Sequence, residues 1–235
     1  MSDSLVVIPT YNEKENIERM VRALIGLEPP ADVLVVDDAS PDGTAAIVAR
    51  LQPEFPERLF LERREGKRGL GHACLHGFRW ALARSYAFIL EMDADFSHPP
   101  ADVARLRAAC DAGADVAVGS RYVRGGEIKE WSARRRILSG MASLYVRLIL
   151  WWPVRDATAG FICFRRDALA AIDLERVKFV GYAFLIEMKY AACRRGLKLV
   201  EVPIVFVDRV AGTSKMSPAI FHEAFFGVWQ LRLRR

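Results

Sequence analysis

Apolar residues in this chain fall into short blocks separated by helix-spaced stripes. Residues 5–9, LVVIP, form a β-branched apolar run that predicts a buried strand. Asn12 is placed to cap the next helix, with Glu15 three residues on for a capping box. Ile17, Met20, Val21, Leu24 and Ile25 then recur at helical spacing. VLVVDD (33–38) predicts a second buried strand, SPDGT a turn, residues 44–51 a short helix and LFLE (59–62) a third strand. Leu70, Cys74, Phe78 and Leu82 make another helical stripe. AFILEMD (87–93) and DVAVGS (115–120) predict strands four and five, with a helix between them. Strands alternating with helices predict an α/β domain, a mainly parallel central sheet flanked by helices. Beyond residue 121 come an apolar helix-like segment (138–154), short strands (FICF, LVEVPIVFV) and helices around 183–195 and 218–232. No linker composition interrupts them, so the second half is expected to build onto the same sheet as one domain.

Ligands of such sheets bind outside the carboxyl ends of the strands. That rule directs attention to TYNE, DDASPDG, DADFSH and GSRY, each directly after a predicted strand. In Asp93-Ala94-Asp95, strand alternation would send both carboxylates to one side at the mouth of the sheet. Two such hard ligands repel unless a cation lies between them. Mg²⁺ or Mn²⁺ binds through one or two carboxylates plus substrate phosphates. The competing reading is an acid-lined start of the helix opened by Pro99 and Pro100. After the second strand, Asp37-Asp38 offers a carboxylate to a base or ribose, or else Asp38 or Ser40 only stabilises the turn. Two acidic strand ends in one sheet favour a nucleotide-plus-metal site.

Composition narrows the choice. Of 235 residues, 52% are hydrophobic and 27% charged, with Gly 16 and Pro 11, which excludes disordered and collagen-like chains. Cys74, Cys110, Cys163 and Cys193 are scattered without CxxC spacing, which argues against a zinc ribbon or disulfide scaffold and for a reducing compartment. The turn after the first strand, PTYNEKEN, is not G-x-G-x-x-G. Gly69-Leu70-Gly71 lacks the third glycine, and no phosphate-binding G-x-x-x-x-G-K-[ST] loop is present. His72 and His76 stand four apart, but position 73 is Ala rather than the Glu of a zinc hydrolase. The net charge of +5 permits an anionic partner. Residues 121–136 hold six basic residues against two acidic ones, either a phosphate-binding segment or a solvated face. A nucleic-acid partner would want more aromatic interleaving, so none is expected. Arg209 and Lys215 bracket VAGTS, a glycine-containing loop.

The stretch 138–154 contains Arg147 and is too short for a spanning helix. The start MSDSLVVIPT lacks a basic n-region and a long apolar run, so no signal peptide is expected. Aromatics near arginines recur twice. Trp131, Trp151 and Trp152 flank the apolar stretch, and Phe221, Phe225, Phe226 and Trp229 precede Arg232, Arg234 and Arg235. Both suit a membrane surface, a membrane-embedded partner, or core helices with a basic end.

Taken in order, VVIPTYNEKENI, VVDDASPDGT, GKRGLGHACLHGF, MDADFSHPP, GSRY and DATAGFICFRR resemble the inverting family 2 glycosyltransferases of the GT-A fold. Within that family the chain is most similar to the dolichol-phosphate (polyprenol-phosphate) mannose synthase group, from about residue 5 to residue 216. The resemblance implies a single domain over 1–235, with a nucleotide-binding half to about residue 120 and an acceptor- and lipid-facing half beyond. It implies a GDP-mannose donor, a polyprenyl (dolichyl) monophosphate acceptor, Mg²⁺ or Mn²⁺, and a peripheral place on the cytoplasmic face of a membrane. A membrane-embedded partner subunit is compatible with it. Carried over position by position, it places Pro9, Tyr11, Glu13, Val36 and Asp38 at the nucleotide. Asp93, Ala94 and Asp95 fall at the metal and donor diphosphate, with Ser97 where many members have a glutamine metal ligand. Arg121 matches a phosphate-binding arginine, and Arg209 and Lys215 the loop over the donor phosphates. One arginine among Arg134, Arg135 and Arg136 meets the lipid phosphate. Asp95, Arg121, Arg209 and Lys215 are the expected catalytic set. Two alternatives remain open from sequence: another sugar, such as glucose from a UDP-sugar, and a non-catalytic nucleotide-sugar or membrane-surface module.

Overall fold

The structure is a computed structural model and describes residues 2–66, 69–181, 183–208 and 218–234. The first half alternates β1 (Ser4–Thr10), α1 (Ile17–Ile25), β2 (Asp32–Asp37), α2 (Thr44–Leu51), β3 (Leu59–Arg63), α3 (Leu70–Leu82), β4 (Phe88–Glu91), α4 (Asp102–Asp111) and β5 (Val116–Ser120). The second half adds β6 (Glu127–Ile128), α5 (Ala133–Leu150), β7 (Ile162–Arg165), α6 (Arg166–Ala171), α7 (Ala183–Arg194), β8 (Leu199–Pro203), β9 (Val205–Phe206) and α8 (Pro218–Leu233).

Seven strands form one sheet in the order β3-β2-β1-β4-β7-β5-β8, and β6 pairs with β9 in a small second sheet. The central strands are apolar throughout because helices cover both faces. One face packs Ile8, Val33 and Leu90 against Ile17, Met20, Val48 and Leu106 of α1, α2 and α4. The other packs Val7, Val36 and Ile162 against Phe78 of α3, Phe184 of α7, Val146 of α5 and Leu231 of α8. α3 approaches β1 so closely that a Cβ on Gly77 would lie 2.4 Å from Val7 Cγ1.

Strand order decides which loops meet. β1, β2, β4, β5 and β8 all end at one edge of the sheet. β7 is antiparallel to both β4 and β5, so its starting end, rather than its finish, reaches that same edge. The loop at 156–161 thereby joins the site from the opposite chain direction, an inversion the strand–helix alternation does not reveal. The predicted strand LVEVPIVFV divides: β8 extends the main sheet from β5, and β9 turns off to pair with β6.

Two local expectations are corrected. α1 is not capped by Asn12 with a Glu15 capping box. It starts at Ile17 after Asn16, with no side-chain cap. Asn12 is left-handed (φ 58°), and the Glu13 carbonyl accepts from the Asn16 and Ile17 N–H groups. In addition, β4 stops at Glu91, so Asp93 and Asp95 lie in a bent loop and not on an alternating strand.

Candidate active site

The loops after β1 and β2 are joined by three backbone donors. Asn12 N–H donates to Ser40 Oγ (3.0 Å), Glu13 N–H to Thr44 Oγ1 (2.9 Å) and Lys14 N–H to Asp42 Oδ2 (3.1 Å). Pro9 and Val36 are register partners across β1 and β2, immediately beneath these loops. Tyr11 and Glu13 are half-buried on the first loop, where Glu13 Oε2 accepts from Asn16 Nδ2 (3.1 Å).

The two adjacent aspartates have different tasks. Asp37 builds the turn, accepting from Ser40 N–H (2.9 Å), Ser40 Oγ and Thr10 Oγ1 (3.1 Å). The turn therefore belongs to Asp37 and Ser40, not to Asp38. Asp38 is buried and oriented by Arg64 Nη1 (2.7 Å) and by the N–H of Gly69 (3.1 Å) at the start of α3. Gly69 has φ +90°, and a Cβ there would lie 2.5 Å from Val180 Cγ1, so only glycine brings its N–H to Asp38 without strain.

The loop after β4 holds Asp93, half-buried, and Ala94 and Asp95, both buried. Asp95 Oδ1 accepts the Ser97 N–H (3.1 Å), and the Ser97 carbonyl accepts from Val207 N–H (3.2 Å). Ser97 thus orients Asp95 through its backbone and ties the loop to the chain leaving β9. Phe96 is left-handed (φ 60°), which allows the tight reversal. Pro99 and Pro100 form the turn before α4, which itself begins at Asp102. His98 is buried between Phe161 and Phe206, with ring centroids 5.2 Å from each. Burial pushes its pKa down to about 4, so its imidazole is neutral at pH 7 although Asp95 and Asp156 lie near. Burial likewise pushes Glu91, the last residue of β4, up to about 8.

The donor set fits a hard divalent cation that completes its shell elsewhere. Among the described residues no three His, Cys, Asp or Glu side chains come together as a metal cage. Asp93 and Asp95 could supply two carboxylates, and the other positions would fall to Ser97, water and substrate phosphate oxygens. Mg²⁺ and Mn²⁺ are commonly bound in this manner. His72 and His76 do not converge on such a site: His76 Nε2 lies 2.9 Å from Glu62, and His72 is exposed.

Arg121, after β5, is locked in place. Its Nε donates to Asp156 Oδ2 (2.7 Å), its Nη2 to Asp156 Oδ1 (2.6 Å) and Thr158 Oγ1 (2.9 Å), and its own N–H to Asp156 Oδ2 (2.9 Å). Their side chains are 9% and 0% exposed. Burial alone would raise the Asp156 pKa, but the charge and hydrogen bonds of Arg121 outweigh it and hold the carboxyl below its usual range. Glu201 of β8 orders the loop from beneath, accepting from Ser120 Oγ, Arg155 N–H and Asp156 N–H, each at 2.8 Å. Lys189 of α7, fully buried, donates to the Ala159 carbonyl. Burial lowers its pKa to about 8 against the opposing pull of Asp156 and Glu91.

Arg135 stands on the first turn of α5, where Ser132 Oγ caps the helix by accepting the Arg135 N–H (3.3 Å). Its guanidinium lies 4.0 Å from the Trp131 ring centroid and donates to both oxygens of Asp208 (2.9 and 3.0 Å). Arg121 lies 5.7 Å from the same indole and 5.3 Å from Phe206. The two arginines therefore share one aromatic partner. Arg134 and Arg136 are exposed on the outer side of that turn. Arg209 and Lys215 lie outside the described residues.

The structure thus gathers Pro9, Tyr11, Glu13, Val36, Asp38, Asp93, Asp95, Ser97, Arg121 and Arg135 along one sheet edge. Sequence reasoning gave no role to Asp156, Lys189, Glu201 or Asp208, and set Trp131 among the aromatics flanking the apolar stretch rather than beside the arginines. A signal existed for Glu201, a lone acid inside LVEVP, and for Asp156, which stands in the DATAG motif. Lys189 and Asp208 act through partners distant in sequence and carry no local signature.

Every large apolar side chain that is strongly exposed among the described residues lies on α5, its C-terminal residue Trp151, or α8. On α5 these are Ile137, Leu138, Met141, Leu144 and Leu148 at 49–66% exposure, with Trp151 at 82%. On α8 they are Phe225, Phe226, Trp229 and Leu233. Tyr145 stacks on Phe225 (4.8 Å, 10°) and donates to its carbonyl (2.8 Å), joining the helices into one face. Arg232 lies over Trp151 (5.7 Å). No helix among the described residues is long and apolar enough to cross a membrane.

The glycosyl transferase family 2 profile matches residues 5–173. The chain is 46% identical over 233 residues to the polyprenol monophosphomannose synthase of Mycolicibacterium smegmatis, covering 98% of this chain and 88% of that one. It is 44% identical to the undecaprenyl-phosphate mannosyltransferase of Micrococcus luteus, covering 98% and 95%. Among solved structures, glucosyl-3-phosphoglycerate synthase from Mycobacterium tuberculosis with Mn²⁺, UDP-glucose and phosphoglyceric acid superposes with a TM-score of 0.72 at 17% identity, covering 97% and 79%. The mannosyltransferase PcManGT from Pyrobaculum calidifontis with GDP-Man and Mn²⁺ gives 0.57 at 19% identity, covering 98% and 70%. These likenesses establish the GT-A fold, and the profile match over most of the chain shows that this protein belongs to glycosyl transferase family 2.

Proposed function

We propose that this glycosyltransferase moves mannose from GDP-mannose to a polyprenyl (dolichyl) monophosphate with inversion, giving polyprenyl-phosphate-mannose and GDP. The names of the relatives at 44–46% identity support mannose as the sugar and a polyprenyl phosphate as the acceptor. The observation that carries the reading is the placing of two guanidiniums, Arg121 and Arg135, on one indole beside the Asp93–Asp95 loop. A donor diphosphate at the carboxylate pair and an acceptor phosphate at the arginines would then be neighbours.

Pro9, Tyr11, Glu13, Val36 and Asp38 would line the nucleoside, with Asp38 held ready by Arg64 and Gly69. Asp93 and Asp95, with Ser97, would hold Mg²⁺ or Mn²⁺. When bound, the ion supplies charge stabilisation to the departing diphosphate. Arg209 and Lys215, by the family resemblance, would add positive charge to the same diphosphate. The attacking atom is an oxygen of the lipid phosphate, anionic at neutral pH, so no strong general base is needed. Arg121 and Arg135 would neutralise that phosphate, which otherwise repels the donor, and hold its oxygen in line behind the anomeric carbon. The new bond joins that oxygen to the anomeric carbon as the bond to GDP breaks, which inverts the centre.

The α5–α8 face would rest on a membrane surface, on its cytoplasmic side. Exposed apolar side chains mixed with arginines suit the headgroup boundary. Arg135, on the first turn of α5, would then sit where a lipid phosphate arrives. The reading also accommodates a membrane-embedded partner subunit on the same face, and calls for no nucleic acid.

The test is a donor panel with one polyprenyl phosphate in detergent. Labelled sugar should reach the lipid from GDP-mannose. Transfer from a UDP-hexose in preference to GDP-mannose would overturn the choice of sugar donor.

A further inference from the structure

Arg121 and Arg135 share Trp131 but are held in opposite ways. Arg121 is chelated by a carboxylate with no exposure, in a network closed by Thr158, Glu201 and Lys189. Arg135 meets Asp208 at the surface, with side chains 42% and 34% exposed. Both Asp208 oxygens address the same nitrogen, Nη1, at 2.9 and 3.0 Å, while the guanidinium rests on the indole at 4.0 Å. The ring fixes the plane of Arg135 whichever anion it holds, so one anion can replace another with little movement of the arginine.

We infer that Asp208 is an internal stand-in for the acceptor phosphate: it occupies Arg135 until the lipid phosphate displaces it, and takes the arginine back as product leaves. This rests on the acceptor reading of Arg135 given above. The charge of the lipid phosphate sets how well it competes. A phosphate monoester carries about −1.5 to −2 at pH 7. The product, a phosphodiester, carries one negative charge. Competition from Asp208 weakens acceptor and product by the same factor. The acceptor's second charge offsets that loss where the product's single charge does not, so discrimination comes from the lipid phosphate, while Asp208 keeps both, the product included, from binding too tightly. An exposed ion pair of this kind corresponds to a competition of up to about fivefold.

The test uses the full chain in detergent with saturating GDP-mannose and a polyprenyl monophosphate as the varied substrate. Asp208→Asn should lower the acceptor KM about three- to fivefold and tighten inhibition by the mannosylated lipid by a similar factor. The KM for GDP-mannose should stay unchanged. An acceptor KM that is unchanged or raised in the folded variant overturns the inference, because a carboxylate that merely positions Arg135 would be missed on removal. Arg135→Gln separates the two levels. If it leaves the acceptor KM unaltered, the acceptor reading fails and takes this inference with it. If it raises that KM while Asp208→Asn does not lower it, this inference alone fails. Should the asparagine variant not fold, Asp208→Ser is judged by the same criteria.

Discussion

Asp156 shows how much of the site depends on one buried side chain. It accepts three hydrogen bonds from Arg121, and its own N–H donates to Glu201. Asp156→Asn leaves the Arg121 guanidinium buried without its counter-charge, which costs about 3–5 kcal/mol. Denaturant melts should show that loss at pH 7. The sign with pH follows from the depressed carboxyl of Asp156 in the fold. Its stabilisation is full above the usual carboxylate pKa of about 3.9 and is lost as pH falls through the lower folded value. The gap between wild type and Asp156→Asn should therefore narrow below about pH 4, and a gap constant to pH 2 would contradict the pairing. Asp95→Ala and Asp93→Ala should lower turnover by about a thousandfold with little change in melting, since each would loosen the cation proposed to stabilise the leaving diphosphate. Near-normal turnover of either folded variant would sink the metal assignment. The acids at strand ends were legible because DADFSH and DDASPDG follow apolar runs. Division of labour between Asp37 and Asp38 was not, since it depends on Arg64 and Gly69 folding back from the next unit.

At the scale of elements, periodicity located nearly every helix and strand of the first half, because buried parallel strands read as apolar blocks. It did not reveal that β7 enters antiparallel, since strand direction leaves no mark on the pattern of ICFR itself. Nor did it show LVEVPIVFV dividing at Ile204, whose burial marks the step from one sheet to the other. Packing of α3 on β1 yields a direct prediction. Gly77→Ala puts a methyl 2.4 Å from Val7 Cγ1 in a stiff β-branched side chain, and should destabilise by about 1–3 kcal/mol in thermal or urea unfolding. For α5 the apolar stripe was visible, while its exposure was not. Sequence reasoning left core and membrane surface equally open, and only three of its residues, Ser143, Val146 and Leu150, are buried. Leu148→Glu, on the outer face, should leave melting within about 0.5 kcal/mol of wild type and reduce binding to anionic vesicles in flotation. Undiminished flotation would remove α5 from the proposed membrane contact.

For the molecule as a whole, topology brings the parts together. Four parallel strands deliver the loops proposed to hold nucleotide and metal to one edge, the inverted β7 adds Asp156 there, and β8 returns the chain as β9 against β6. Arg121 and Arg135, the proposed acceptor arginines, thereby link the carboxylate loop to the helix that carries the exposed apolar face. In the proposed function that placing would bring a donor dissolved in water to an acceptor anchored in lipid. The most direct measurement is transfer of labelled mannose from GDP-mannose to a polyprenyl phosphate, with and without Mg²⁺ or Mn²⁺, followed by assignment of the anomeric linkage. The account predicts metal-dependent formation of a lipid-phosphate-mannose whose anomeric configuration is opposite to that of the donor. Transfer that persists in excess chelator, or a product with retained configuration, would contradict it.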